Sequence, residues 1–305
     1  MPKNKLITVT NISKSYNGVK AIDNISFSIN KGELFGFIGP DGAGKTTLFR
    51  ILTTLLLSDT GTALLDGLDV VKDYKKIRKI LGYMPGKFSL YQDLSVEENL
   101  NFFATVFGTS IKKNYELIKD IYIQIEPFKK RLAGNLSGGM KQKLALSCAL
   151  IHKPKILILD EPTTGVDAVS RKEFWEMLKK LKEKNITILV STPYMDEASL
   201  CDRIALMQNG KILSVNTPNT IINNFEKNLL AVSTFNMYKL MRDLRKYELT
   251  ETVFLFGQNL HYTSKNESQN TDELRKYLEQ KQHKNIQIKN IKPNIEDCFM
   301  RLMNK

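Results

Sequence analysis

The segment GPDGAGKT at 39–46 satisfies the spacing G-x-x-x-x-G-K-[ST] and lies between an apolar run, LFGFI at 34–38, and a stretch of helical spacing. Glycine at Gly39, Gly42 and Gly44 lets backbone N–H groups turn inward around phosphate oxygens, where a Cβ would intrude. The positive end of the following helix adds to the same cradle. Lys45 has the reach to meet β- and γ-phosphates, and the Thr46 hydroxyl suits Mg²⁺. The expectation is an ATP site formed by Gly39, Pro40, Asp41, Gly42, Ala43, Gly44, Lys45, Thr46 and Thr47. A second candidate is KILILDEP at 155–162, where four apolar residues deliver Asp160 to a sheet edge. There it can hold the Mg²⁺ shell, and Glu161 beside it is placed to polarise an attacking water as general base. A third is LSGGMKQKLAL at 136–146, in which Ser137-Gly138-Gly139 opens a helix; alone it reads as a cap.

These residues need a scaffold, and the chain alternates apolar patterns that supply one. LITVTNISKSY and AIDNISFSI flank Asn17-Gly18 as two strands around a turn. A helix is expected from about Lys45 to Leu57, another over 95–107 opened by a Ser95/Glu98 capping box, and a third over roughly 112–126. Met140 to Ile151 reads as a helix stopped by Lys153-Pro154. Strand 155–160, helix 170–184 and strand 186–192 then alternate as in a mostly parallel sheet, and RIALM and KILSV close it as a hairpin around Asn209-Gly210. After Thr217-Pro218 the texture becomes Asn- and Lys-rich. Strand 229–235, helix 236–247, strands 252–257 and 260–264, helix 271–281 and strand 285–291 give the order βαββαβ, the pattern of a ferredoxin-like domain, before a terminal helix IEDCFMRLM.

Bulk properties set the outer bounds. The 305 residues, 42% hydrophobic and 25% charged, suit a globular protein of one large and one small domain. No run approaches a bilayer-spanning length, and the amino terminus lacks a secretory apolar core, so a cytoplasmic location is expected unless a partner holds the chain at a membrane. Cys148, Cys201 and Cys298 are too scattered for a metal site and read as free core thiols; His152, His261 and His283 are equally dispersed. The net charge of +13 is spread along the chain, which suits anionic lipid headgroups as well as nucleic acid and decides neither.

With the three motifs in this order, residues 1–217 closely resemble the ATP-binding cassette (ABC) family. The resemblance implies an α/β P-loop NTPase cassette, with a RecA-like core, an antiparallel β subdomain and a helical subdomain at about 87–150. Residues 218–305 would form a small α+β accessory domain. Tyr16 sits where the family stacks an aromatic on adenine. TTGVD at 163–167 is similar to the segment that crosses the family's dimer interface, with Asp167 as its carboxylate. The resemblance further implies two cassettes packed head to tail, so that ATP bound by Gly39–Thr46 of one copy meets Ser137, Gly138 and Gly139 of the other. Partners would be a second cassette, in a homodimer or heterodimer, and integral membrane permease subunits that hold the chain at the cytoplasmic face; no nucleic acid is expected. The region 86–107, with Phe88, Tyr91, Phe102 and Phe103, lies where the family docks a permease helix, and the same aromatics would suit a subdomain core.

Two positions depart from the family pattern. Gly86 stands where a glutamine usually links Mg²⁺ and water to the permease-facing loop, and Pro193 where a histidine usually contacts the γ-phosphate. Neither role transfers to these residues. The leading expectation is the ATPase subunit of an efflux-type exporter. The alternatives are a soluble ABC ATPase acting on ribosomes or nucleic acid, disfavoured by a single phosphate loop and no sustained heptads, and an ATP-sensing subunit with little hydrolysis.

Overall fold

The computed structural model describes residues 5–87, 89–266 and 271–303. Period-two burial along the first thirty residues produces a long antiparallel pair, β1 (Lys5–Tyr16) and β2 (Val19–Asn30), joined at Asn17-Gly18, both with left-handed φ (48° and 83°). The solid apolar run becomes β3 (Leu34–Ile38), buried at every residue, as expected of a strand covered on both faces. Beyond the glycine loop comes α1 (Lys45–Leu52). It ends five residues before the expected Leu57. Thr53 turns its hydroxyl back onto the Phe49 carbonyl, and Thr54 adopts a left-handed φ of 62°, so the apolar run 53–57 leaves the helical path.

Next, β4 (Thr60–Leu65) pairs with β1 and β5 (Leu68–Asp69) pairs with β4, giving a four-stranded sheet of order β2-β1-β4-β5. Then α2 (Tyr74–Ile80) leads into β6 (Leu81–Met84). A helical layer follows: α3 (Val96–Val106), α4 (Ile111–Tyr122) and α5 (Gly138–Leu150). The Ser95/Glu98 capping box is formed in full at the start of α3. The expected helix 112–126 stops at Tyr122, and Glu126–Phe128 forms a separate 3₁₀ turn around Pro127, which cannot continue an α-helical ladder.

The chain then supplies β7 (Ile156–Asp160), α6 (Ala168–Glu183), β8 (Thr187–Thr192), β9 (Arg203–Gln208) and β10 (Lys211–Asn216). The resulting six-stranded sheet has the order β10-β9-β3-β8-β7-β6, parallel except for the β10 edge. This order sets the carboxyl ends of β3, β8 and β7 side by side, which is where an open α/β sheet places its ligands. A core built on Phe27, Phe35, Phe37 and Phe49 packs β2, β3 and α1 together, with Phe37 and Phe49 edge to face at 5.5 Å.

The chain divides into two compact units, Met1–Pro218 and Asn219–Lys305, with the short helix α7 (Pro218–Asn223) at the division. The second unit runs β11 (Leu229–Ser233), α8 (Met237–Arg245), β12 (Thr250–Phe256), β13 (Asn259–Ser264), α9 (Thr271–Gln280), β14 (Gln287–Ile291) and α10 (Ile295–Met303). Its antiparallel sheet has the order β12-β13-β11-β14, the arrangement of a ferredoxin-like split βαβ fold. Leu230, Val232, Leu240, Leu244, Leu260 and Tyr262 form its core. The expected strand 285–291 starts only at Gln287, because His283 is turned inward to meet Asp243 and Asn285 is left-handed (φ 55°).

Candidate nucleotide site

The loop 39–44 leaves the end of β3 and enters α1 with little room for side chains. A Cβ on Gly39 would lie 2.2 Å from the Met207 carbonyl oxygen, and one on Gly44 (φ 102°) 2.4 Å from that of Ala21. Gly44 caps α1 with no side-chain hydrogen bond, so no cap side chain occupies the first-turn amides, which suit an anion. Lys45 is only 3% exposed, and its ammonium donates to the Gly39 and Pro40 carbonyls at 2.7 and 3.0 Å. It also lies 3.4 Å from Glu161 Oε1, so the lysine of the loop and the candidate base share one point in space. A buried ammonium beside a glycine-rich backbone suits the phosphates of ATP.

The acidic pair sits at the end of β7. Thr46 Oγ1 donates to Asp160 Oδ1 at 3.2 Å, and Ser191 Oγ donates to the same oxygen at 2.6 Å. A hydroxyl beside a carboxylate is an all-oxygen donor set, which suits Mg²⁺ completed by phosphate and water. Glu161 adopts a left-handed φ of 49°, a costly conformation for a residue with a Cβ. Its N–H holds that geometry by donating to the Ser191 carbonyl (3.1 Å) and hydroxyl (3.0 Å). Ser191 therefore orients both acidic residues. Tyr83, at the end of neighbouring β6, has its hydroxyl pKa pushed up to about 12 by burial and by the Asp160 carboxylate.

Gly86 stands beside this pair: a Cβ there would be 3.1 Å from the Asp160 carbonyl oxygen and 3.8 Å from Glu161 Cβ. The position usually held by glutamine thus touches the acidic pair but presents no side chain. Near Pro193, the Thr192 hydroxyl is committed to Glu197 at 2.5 Å. Glu197 is buried and also accepts from Thr163 Oγ1 at 2.9 Å, with the Arg171 guanidinium 3.9 Å away. That carboxylate is the hub joining the end of β8 to the segment after Glu161.

The remaining sequence candidates occupy a different part of the unit. Ser137 caps α5, its Oγ accepting from Met140 N at 3.4 Å. Asp167 caps α6, accepting from the Val169 and Ser170 amides at 3.1 and 2.9 Å, and these hydrogen bonds, Ser170's first, hold its carboxyl below the usual range. The two helix starts abut: a Cβ on Gly139 would meet Ser170 Oγ at 2.7 Å, and one on Gly138 would lie 3.6 Å from the Gly165 carbonyl. Tyr16, at the end of β1, is 43% exposed, with the Lys14 ammonium 5.9 Å from its ring centroid. Between β6 and the helical layer lies a cavity of about 700 Å³ lined by Tyr83, Gly86, Phe103 and Phe107 and carrying Arg50 and Arg78. Tyr91 and Phe102 pack edge to face at 4.8 Å and are both part exposed, while Phe88 lies outside the described residues.

Sequence reasoning brought Lys45, Thr46, Asp160 and Glu161 forward and missed Ser191 and Glu197. The signal for Ser191 is a polar residue inside the buried strand ILVST, and for Glu197 an acidic residue with no exposed face, which only the fold reveals.

Residues 22–164 match the ABC transporter family model. The chain is 40% identical over 222 residues to the probable multidrug ABC transporter ATP-binding protein YbhF of Escherichia coli (strain K12), covering 72% of this chain but 38% of that protein's length. It is 32% identical over 300 residues to the Nod factor export ATP-binding protein I of Rhizobium sp. (strain N33), covering 97% of this chain and 96% of that one. Among solved structures, the dimeric post-hydrolysis state of the cassette MJ0796 with ADP and Pi superposes with a TM-score of 0.63 at 25% identity, over 69% of this chain and 98% of that one. The chain belongs to the ABC transporter family, among its ATP-binding subunits.

Proposed function

We propose that this protein binds and hydrolyses ATP to drive an exporter, working as one of two cassettes that close head to tail beneath separate permease subunits. The observation that carries this reading is the convergence of Lys45, Glu161, Asp160 and Thr46 at the carboxyl edge of adjacent strands. Lys45 offsets phosphate charge, and Glu161 takes the proton of a water aimed at the γ-phosphorus. Thr46 and Asp160 would hold Mg²⁺, which supplies charge neutralisation at the β- and γ-oxygens. The backbone of Gly39–Gly44 with Thr47 cradles the phosphates, and Tyr16, exposed at the end of β1, offers its ring to adenine. Ser137, Gly138, Gly139 and Asp167, gathered at two abutting helix starts, face the partner's nucleotide. We assign residues 1–217 to the cassette, with 87–150 as its helical subdomain, and 218–305 to an accessory domain. The cavity between β6 and the helical layer, apolar with two arginines, is the seat for a permease helix.

Co-expression with a neighbouring membrane protein, recovery of the complex and an assay of phosphate release test this reading. Hydrolysis that requires Glu161 and rises in the complex supports it. ATP binding with equally negligible release by the wild type and Glu161→Gln would instead favour the ATP-sensing role that Gly86 and Pro193 suggest.

A further inference from the structure

A second cavity, of about 660 Å³, opens at the amino-terminal edge of the central sheet, the edge opposite the phosphate loop, where the chain enters β7 and β8. Its rim carries Lys5, Lys31, Lys153, Lys155 and Lys184, contributed by four separate stretches of the chain. Two of these charges are balanced, Lys155 by Asp66 at 2.6 Å and Lys184 by Asp120 at 3.6 Å. No salt bridge joins Lys5, Lys31 or Lys153 to a carboxylate among the described residues. Gathering uncompensated ammonium groups around one cavity is unfavourable on its own, because a cavity this size is about as wide as the Debye length of roughly 8 Å at physiological ionic strength. The floor has the opposite character: Leu6 and Ile186 are nearly buried, and Leu117 of α4 closes one side.

We infer that this cavity is a binding site for an amphipathic phosphomonoester, its phosphate met by Lys5, Lys31 and Lys153 and its apolar body seated on Leu6, Leu117 and Ile186. The volume falls within the roughly 300–1,000 Å³ of ordinary small-ligand sites. Lysine suits the task, since its stems cover apolar surface while the mobile ammonium groups follow a tetrahedral anion. The walls come from Leu117 of α4 and the loop from α5 into β7 on one side and from β1 and the entry to β8 on the other, so an occupant bridges the helical layer and the sheets without touching the nucleotide loop. The inference does not depend on the hydrolytic reading of the nucleotide site.

The same ligand chemistry is offered by a membrane phosphatidate and by a free phosphorylated metabolite. Calorimetric titration of the full chain with soluble dihexanoyl phosphatidic acid tests the site, with inorganic phosphate and dihexanoyl phosphatidylcholine as comparisons. The phosphatidic acid should bind about tenfold or more tightly than either comparison. Lys31→Glu/Lys153→Glu should weaken it by about tenfold or more, and Leu117→Glu should do so by placing a carboxylate on the apolar floor, with ATP affinity unchanged in both. Unaltered thermal unfolding of these variants keeps a loss of binding from being a loss of fold. Sedimentation of the wild type, but not of the variants, with phosphatidic acid vesicles assigns the membrane as source; binding of the soluble ligand without sedimentation assigns a free metabolite. Inorganic phosphate binding as tightly as the lipid, or the charge-reversed variant binding like wild type, would overturn the proposal.

Discussion

At the residue scale, the site turns on a lysine and a glutamate that lie 3.4 Å apart, one almost wholly buried and the other held in a left-handed backbone conformation. The Glu161 amide donates to both the carbonyl and the hydroxyl of Ser191, so the backbone that carries the carboxylate is fixed, which suits a general base. Glu161→Gln should keep ATP affinity and lower phosphate release by about 10²–10⁴-fold. Lys45→Ala should instead lose ATP affinity, since a phosphate partner is removed; nucleotide titration beside the release assay separates the two. Ser191 makes a sharper test, because it touches Asp160 and the Glu161 amide rather than the phosphates. Ser191→Ala should cost about 1.5–3 kcal/mol in urea unfolding, the range for a hydrogen bond to a charged group, and should slow release while leaving ATP affinity near wild type. A variant with normal release would mean that the strained glutamate needs no such support.

At the element scale, the parts that position the site follow from patterns with few alternatives. The runs LFGFI, ILILD and TILVST form strands buried at every residue, and the first two lead into the candidate phosphate loop and end at the candidate Asp160. Residues 60–80 were silent because their elements bury little: β4 is mostly exposed, β5 has two residues, and α2 buries only Ile77. Ser191 and Glu197 were illegible for another reason. Their partners Asp160 and Thr163 lie 31 and 34 residues away, so the polar residue inside ILVST and the acidic residue after it do not disclose what they hold.

His152 belongs at this scale too, as the residue joining the end of α5 to β6. Its ring stacks on Phe107 at 3.8 Å, Nε2 meets the Leu81 carbonyl at 3.0 Å, and Nδ1 is buried without a hydrogen-bond partner among the described residues. Burial lowers its pKa from the ordinary 6.5, with the Leu81 carbonyl opposing more weakly. The unfolded chain therefore takes up the proton first as pH falls. Stability is present in full above about pH 6.5 and is lost as pH drops through the lowered folded value. Thermal unfolding followed between about pH 7.5 and pH 5 should fall more steeply for the wild type than for His152→Asn. Parallel slopes would remove His152 from the account of acid sensitivity.

At the scale of the whole molecule, a nucleotide loop and a helix-start cluster stand in one cassette, and the proposed head-to-tail pairing would bring those of two cassettes together; the similar cassette MJ0796 is dimeric with ADP and Pi. No described helix is long and apolar enough to cross a membrane; in the proposed exporter, coupling runs through a contact with a separate permease. The groove with Arg50 and Arg78 offers the contact: Phe103→Asp should weaken recovery of a permease complex while leaving the isolated chain's ATP affinity intact, read by co-purification and nucleotide titration. Everything in this scheme depends on ATP being held by two copies. Sedimentation velocity of Glu161→Gln with and without Mg·ATP tests that directly. The shared site requires a dimer only with nucleotide, and a return to monomer when Ser137→Arg is added, although the double variant still binds ATP. A protein that stays monomeric with ATP bound, or a dimer indifferent to Ser137→Arg, would contradict it.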